Sequence, residues 1–426
     1  MTVTLRSAMQ FVIIFFMSCA GAQGQGVAGA KYETYLQDNL CSKTKISHCL
    51  KPTTYVATRS DGRKVKVSGV YDYFMKDSVP GVFLPHFLLT YMRNLRNAYQ
   101  ENPAAYGQIF YNQNDFLLSR TVERQGAQVW ENIYGYAQCM EQMEYAAYYA
   151  SLSSMMSELG EIKMAQFYFN VSLKMSRSLQ LEVGQKTGGV RSQTFNCGSK
   201  TTRLRPCAWF HSRGLGVPGE NKPYVVLNQN LHAIRDAFST YTSLLELAVK
   251  FKMSAMTLKQ VERIGDDALA GLYHLAYSPG AKRSVPGRMP NFAQFMERKF
   301  NSRTGHPYYW AFYEYDLAHG KMANISHQNT CHYHTHVLQV FGDIIMFLER
   351  PKFKALVVRL PDGWKAYEAI TALMRGAGEP IGAAGSLNAV YQFFSSENDP
   401  YIKYTLNGCA ALPSEVLSSN YVNLYF

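Results

Sequence analysis

From residue 85 onward, apolar residues recur at three- and four-residue steps over one long segment after another, and this period restricts the fold more than any other feature. Leu231, Ile234, Phe238, Tyr241 and Leu245 illustrate it: at 3.6 residues per turn they share one helical face. The same pattern predicts helices over 85–99, 129–158, 161–181, 224–252, 257–277, 308–319, 333–350, 363–374 and 386–394. The breaks between them are short, as at Leu159-Gly160, Ser278-Pro279-Gly280 and Gly376-Ala377-Gly378-Glu379-Pro380. An amphipathic helix must bury its apolar stripe, and short breaks make successive helices antiparallel neighbours. The expected fold is therefore mainly α, with helical hairpins packed as a bundle, a solenoid or an α/α toroid. No tandem repeat of fixed period is evident, which weighs against a regular solenoid.

Two stretches break the helical pattern. Tyr55-Val56-Ala57-Thr58 and Val65-Lys66-Val67 flank Asp61-Gly62 and read as a β-hairpin, so a small β-containing region over 23–84 is expected ahead of a helical domain over 85–426. The stretch 184–223 is rich in Gly, Ser, Arg and Thr and carries Cys197 and Cys207. A loop this long inside a helical array is either functional or disordered, and a disulfide within it favours an ordered binding loop.

The first residues hold Arg6, an apolar run from Phe11 to Cys19, and Ala20-Gly21-Ala22, the order of a secretory signal peptide over 1–22. The apolar run is too short to span a bilayer and no later stretch reaches the required length. The expectation is an exported protein with no stable membrane anchor: secreted, held in the lumen of the secretory pathway, or periplasmic in a bacterium. The formal charge of +12 would draw such a protein to acidic glycans, membranes or nucleic acids. Zinc-finger spacing, RNP-like aromatic motifs and an Arg-rich arm are all missing, which argues against nucleic acid. Of the eight cysteines, Cys19 falls in the leader, and the close pairs Cys41/Cys49 and Cys197/Cys207 are the candidate disulfides. No Cys-x-x-Cys spacing suggests metal or redox chemistry, and no cofactor is expected. Asn170-Val171-Ser172 and Asn324-Ile325-Ser326 match glycan-acceptor triplets.

Chemistry concentrates in His332-Tyr333-His334-Thr335-His336, read with Tyr315-Asp316-Leu317-Ala318-His319 upstream. These residues offer proton-transfer groups and hydrogen-bond donors without an obvious carboxylate nucleophile. In order and spacing they resemble the D-glucuronyl C5-epimerase family, in which a Tyr-Asp-Leu-Arg-His run is followed eighteen positions later by Tyr-His-Thr-Thr-His. Tyr315 and Tyr333 are separated by the same eighteen positions. Further along the resemblance, Tyr136 to Gln142 looks like the family's aromatic-x-Met-x-Gln helix start, and Trp209-Phe210 like its Trp-Tyr. Val226-Leu227-Asn228 matches its Val-Leu-Asn, and Phe353-Lys354 through Trp364 is similar to its closing helix. The matched set covers about 129–367 in the right order.

The resemblance implies an α/α toroid that inverts carbon 5 of uronic acid residues in an acidic, uronate-containing polysaccharide. That reaction needs a base, an acid on the opposite sugar face, and donors for the charge that develops on the sugar carboxylate. Carried over residue by residue, Tyr315 and Tyr333 take the proton-transfer positions with His319 and His334 beside them, and Gln142, Trp209, His211, Arg213, Asn228 and His336 contact substrate. A polyuronate partner further implies a basic rim, for which Arg191, Lys200, Arg203, Arg205 and Arg213 are the candidates, and a homodimer is compatible with the family reading.

Two features depart from the family pattern: Ala318 replaces its Arg, and His211-Ser212 replaces an acidic pair, with Glu220 later in the same loop. The alternatives are a lyase, which would follow the same proton abstraction with loss of the oxygen at carbon 4, and a non-catalytic glycan-binding protein. His332, His334 and His336 would share a face on a strand and could then bind metal; on the expected helix only His332 and His336 do, and no metal is expected.

Overall fold

The computed structural model describes residues 48–58, 62–75, 88–131, 135–192, 195–197, 205–211, 224–280, 289–300, 307–311, 314–317, 320–322, 340 and 343–344. The leader over 1–22 and the expected helices over 363–374 and 386–394 lie outside these residues, as does most of 333–350, of which Val340, Asp343 and Ile344 are helical. The described residues fall into two compact units, one of those up to residue 75 with 97–115, the other of 88–96 with those from 116 onward.

In the first unit, β1 (His48–Thr58) and β2 (Lys64–Met75) form the expected hairpin, longer than the sequence pattern showed. Thr53 pairs with Val70 but Thr54 with Ser68, so Gly69 is the extra residue of a bulge. Its φ of 81° is one that only glycine adopts without strain. Two helices follow in sequence, α1 (Leu89–Glu101) and α2 (Pro103–Ser119). The part of α2 in this unit carries Gln113, whose buried amide closes both backbone groups of Tyr71: Tyr71 N donates to Oε1 and Nε2 donates to Tyr71 O, each at 2.8 Å. Tyr99 stacks on Phe110 with ring centroids 4.3 Å apart.

After Ser119 the second unit continues with a short hairpin, β3 (Val122–Arg124) and β4 (Ala127–Val129), then α3 (Cys139–Glu158) and α4 (Ile162–Ser176). Strands β5 (Phe195–Cys197) and β6 (Arg205–Cys207) pair and are joined by the expected Cys197–Cys207 disulfide. Then come β7 (Tyr224–Val226), α5 (Leu227–Lys250) and α6 (Ala255–Tyr277). Strands β8 (Met296–Phe300), β9 (Pro307–Ala311), β10 (Glu314–Asp316) and β11 (Lys321–Met322) follow. The protein is mainly helical with small antiparallel sheets, and α3/α4 and α5/α6 are helical hairpins.

Helix α3 is the centre of this unit, packed on α4 and α5 and buried on nearly all sides. Its small residues let the neighbouring backbone approach, and the contacts are fastened by hydroxyls: Ser172 Oγ donates to Ala146 O at 2.6 Å and Ser153 Oγ to Ala165 O at 2.7 Å. Tyr149 stacks on Tyr168 across the same interface. Because Ser172 is spent in this way in the middle of α4, the Asn170-Val171-Ser172 triplet is a helical turn and not the exposed loop that glycan acceptors favour. No helix among the described residues is long and apolar enough to cross a membrane.

Several boundaries differ from the sequence expectation. The helix over 308–319 is not formed: Tyr308, Tyr309 and Trp310 belong to β9 and pair with β8, and Glu314 to Asp316 form β10. Aromatic residues favour strands when a partner strand is at hand, and that partner is a tertiary fact. The helix over 129–158 starts only at Cys139, and that over 161–181 ends at Ser176 in a 3₁₀ turn, Arg177–Gln180.

Helices α5 and α6 cross where Gly271 faces Ile234 and Phe210. A Cβ on Gly271 would lie 2.8 Å from Ile234 Cγ1 and 2.8 Å from Phe210 Cε2. Gly271→Ala should therefore destabilise the protein by about 1–3 kcal/mol through overpacking, even though alanine favours a helix. Denaturant unfolding measures this, and Ile234→Val in the same chain should recover part of the loss. A Gly271→Ala protein as stable as the wild type would show that the crossing is loose.

Candidate functional site

Helices α3 and α5 begin against one stretch of backbone, 208–211. Cys139 N, at the start of α3, donates to His211 O at 2.9 Å, and Asn230 Nδ2, in the first turn of α5, donates to Phe210 O at 3.2 Å. The Cys139 thiol lies 3.5 Å from Phe210 O and 3.6 Å from Gln229 O, and burial pushes its pKa well up, so it remains a thiol. The 208–211 stretch is held in turn by 189–192: Ser192 N donates to Trp209 O at 2.8 Å, Ser192 Oγ accepts from Trp209 N at 2.8 Å, and His211 N donates to Val190 O at 2.7 Å.

Tyr315 reaches this place through the backbone. β10 is the middle strand of a three-stranded sheet, with β11 on one side and β7 on the other, and Tyr315 pairs with Val225. Since β7 runs directly into α5, the pairing sets Tyr315 beside the start of that helix. Its hydroxyl accepts from Gln294 Nε2 at 3.3 Å, and its ring approaches Phe295 at 5.9 Å. Phe295 is stacked on Trp209 at 5.8 Å, and Trp209 meets His274 edge-on at 5.5 Å.

The described members of the expected site thus divide. Tyr315, Trp209, His211 and Asn228 stand together at the start of α5. Gln142, one turn into α3, is fully buried, and its amide bridges the backbone by donating to Gln128 O at 3.3 Å and accepting from Trp130 N at 3.0 Å. His319, Tyr333, His334, His336 and Arg213 lie outside the described residues, as do Lys200 and Arg203 of the expected rim. Arg191 does not belong to a rim: it is buried, with its guanidinium on Asp267 and on Leu179 O. Gln294, Phe295, His274 and Asn230 were not legible as neighbours of the site, because each is ordinary in its own segment.

The electrostatics of the place are those of a dry, largely neutral site. Burial, with the nearby His274, lowers the His211 pKa to about 4, so the imidazole is neutral at physiological pH. Burial lowers His274 likewise, to about 4. Burial and the neighbouring Asp316 raise the Tyr315 phenol above its ordinary value, so Tyr315 keeps its proton. His211 Nε2 and the amide oxygens of Asn228, Gln229 and Asn230 are buried atoms that make no hydrogen bond among the described residues. Neither α3 nor α5 has a side-chain cap; the first N–H of α3, that of Cys139, is taken by His211 O, and the positive ends of both helix dipoles lie against the 208–211 stretch. The arrangement can donate hydrogen bonds, accept them from hydroxyls and favour an anion; among the described residues it has no fixed positive charge.

Comparison with protein-family models, with curated proteins and with solved structures finds no match to this chain.

The 189–192 stretch is anchored to α6 by the Arg191–Asp267 pair, with Arg263 3.6 Å from the same carboxylate oxygen. Desolvation outweighs both guanidiniums and raises Asp267 to about 6. A carboxyl whose folded pKa lies above its unfolded value contributes stability below the unfolded pKa, and loses that contribution as pH rises through the folded one. Between pH 4 and pH 7 the wild type should lose about 2 kcal/mol relative to Asp267→Asn, which cannot ionise. Urea unfolding across that range measures the difference. A gap between the two proteins that does not change with pH would contradict the shift.

Proposed function

We propose that this chain is an exported carbohydrate-active protein of α/α-toroid architecture that abstracts and returns the C5 proton of uronic acid residues in an acidic polysaccharide, as the D-glucuronyl C5-epimerases do. The observation that carries the reading is the convergence of Tyr315, Trp209, His211 and Asn228. They come from three separate segments and were expected together only because of the family resemblance. Helical hairpins α3/α4 and α5/α6 are the units from which a toroid is built, and their N-terminal ends meet at these residues.

Roles follow from the proton affinities. Tyr315 holds its proton, so it serves as the acid that returns hydrogen to C5, and the base comes from Tyr333 or His334. As the proton leaves, negative charge grows on the sugar carboxylate. The positive end of the α5 dipole, where the first turn has no side-chain cap, favours such charge, supported by the neutral His211. Asn228 and Asn230 offer acceptors to sugar hydroxyls, and the Trp209 ring gives the hydrophobic backing of the site.

A second reading, a glycan-binding protein without catalysis, is favoured by one feature: His211 stands where the family has an acid, and it is neutral and buried.

Uronate polymers incubated with the protein in deuterated water should gain deuterium at C5 without forming unsaturated sugar; an unsaturated product would indicate a lyase. Tyr315→Phe should lower the exchange rate by about a hundredfold or more while binding is retained. Because burial raises the Tyr315 pKa, the alkaline limb of the exchange rate should lie above pH 10, the ordinary tyrosine value. Polymer that binds but never exchanges would decide for the second reading.

The basic rim, now restricted to Lys200, Arg203, Arg205 and Arg213, makes its own forecast. Binding of a heparin-like polymer should weaken steadily from low to moderate ionic strength, as screening shortens the reach of its charges. Salt-independent binding would mean that these cations do not contact the polymer.

A further inference from the structure

One cluster of titratable side chains is not used by that site. Glu144 on α3 and His232 and Asp236 on α5 are buried together, only 3 %, 7 % and 5 % exposed. His232 and Asp236 are four residues apart, so they project from one face of α5 toward α3. One ligand atom from each residue lies within 4.8 Å of the other two, and His232 Nδ1 stands 3.8 Å from Glu144 Oε1. That separation is too long for a direct hydrogen bond. It is close to the roughly 3.3–3.5 Å between two ligands on one tetrahedral ion with bonds of about 2.0–2.1 Å.

We propose that Glu144, His232 and Asp236 bind one divalent first-row transition-metal ion, zinc by ligand chemistry, between α3 and α5. One imidazole nitrogen and carboxylate oxygens make a zinc donor set. Magnesium usually keeps several waters and calcium takes six to eight oxygens, which a site this buried does not suit. The surroundings supply the outer support that metal-binding carboxylates receive. Arg235 Nε and Nη2 hold the two Asp236 oxygens at 2.8 and 3.1 Å, and Nη1 reaches Asp343 at 3.3 Å, which fixes the carboxylate while Glu144 and His232 approach from the other helix and the preceding turn. Asp343 and Glu144 offset the Arg235 charge, so the guanidinium does not make the place positive overall. The ion would clamp the two central helices of the unit. It is separate from the uronate chemistry, and the proposal does not depend on that reading.

The test uses the full chain stripped with a chelator and then dialysed against zinc, with metal content read by elemental analysis and folding by circular dichroism. One equivalent of zinc should remain, and chelation should lower the melting temperature. Glu144→Gln and Asp236→Asn should each weaken zinc binding at least tenfold. Cobalt in place of zinc should give visible absorption bands of a four- or five-coordinate site, altered in His232→Asn. If a variant fails to fold, the wild-type protein still decides through its zinc content and its cobalt spectrum. Folded wild type that retains no zinc overturns the proposal. So does zinc binding that survives His232→Asn but is lost in His334→Ala, since it would put the ion at the histidine run instead.

Discussion

The carbonyl groups of Phe210 and His211 are the constraint on which the second unit depends. A buried carbonyl must be paired, and these two are paired with the starts of different helices, Phe210 with Asn230 of α5 and His211 with Cys139 of α3. One short stretch of extended chain therefore fixes where both helices begin. Once they are fixed, β7 is fixed as well, because it leads straight into α5. β10 pairs with β7, so the position of Tyr315 is inherited from the same two hydrogen bonds.

Around that hub the unit combines apolar packing with a few buried charges. The stack of Trp209, Phe295 and Tyr315 is apolar apart from the phenol hydroxyl and the indole N–H, and all three rings are buried. Arg191–Asp267 and Arg235–Asp236 are different. Removing two charges from water costs several kcal/mol per ion and attraction returns only part of it, so such pairs are poor sources of stability. What they provide is position. Arg191 holds the 189–192 stretch that in turn carries Trp209 and His211, while Arg235 orients Asp236 toward Glu144 and His232.

The two uses of α5 are separated along its length. Its first turn contributes Asn228 and Asn230 to the proposed substrate site, and the next two turns contribute His232 and Asp236 to the proposed metal site. Asn228, His232 and Asp236 recur every four residues and so lie on one side of the helix, and the two uses are set apart by the rise along its axis. The burial of α3 along almost its whole circumference has the same result: Gln142 braces β4 while Glu144, two residues on, faces α5.

Much of this was present in the residue order. The 3.6-residue period marked α4, α5 and α6 because their apolar stripes are long, while α3, buried almost all round, has no single stripe; the Asp61-Gly62 turn marked the hairpin because strands on either side alternate. The Cys197–Cys207 bridge was legible as a close pair. The segment 308–319 was misread because Tyr308, Tyr309 and Trp310 carry no period of their own; β8 makes them a strand. Strands of three residues, such as β7 and β10, are too short to alternate, so no local rule finds them. The sequence by itself determined which faces are apolar, and hence a mainly helical protein of packed hairpins, since burial of a stripe is a local and additive demand. Only the tertiary structure decided that Tyr315 lies beside Val225, that Arg191 is buried on Asp267, and that Glu144 meets His232. Those are pairings between distant segments, and the hydrogen bonds and charges that choose among them exist only after the chain has closed on itself.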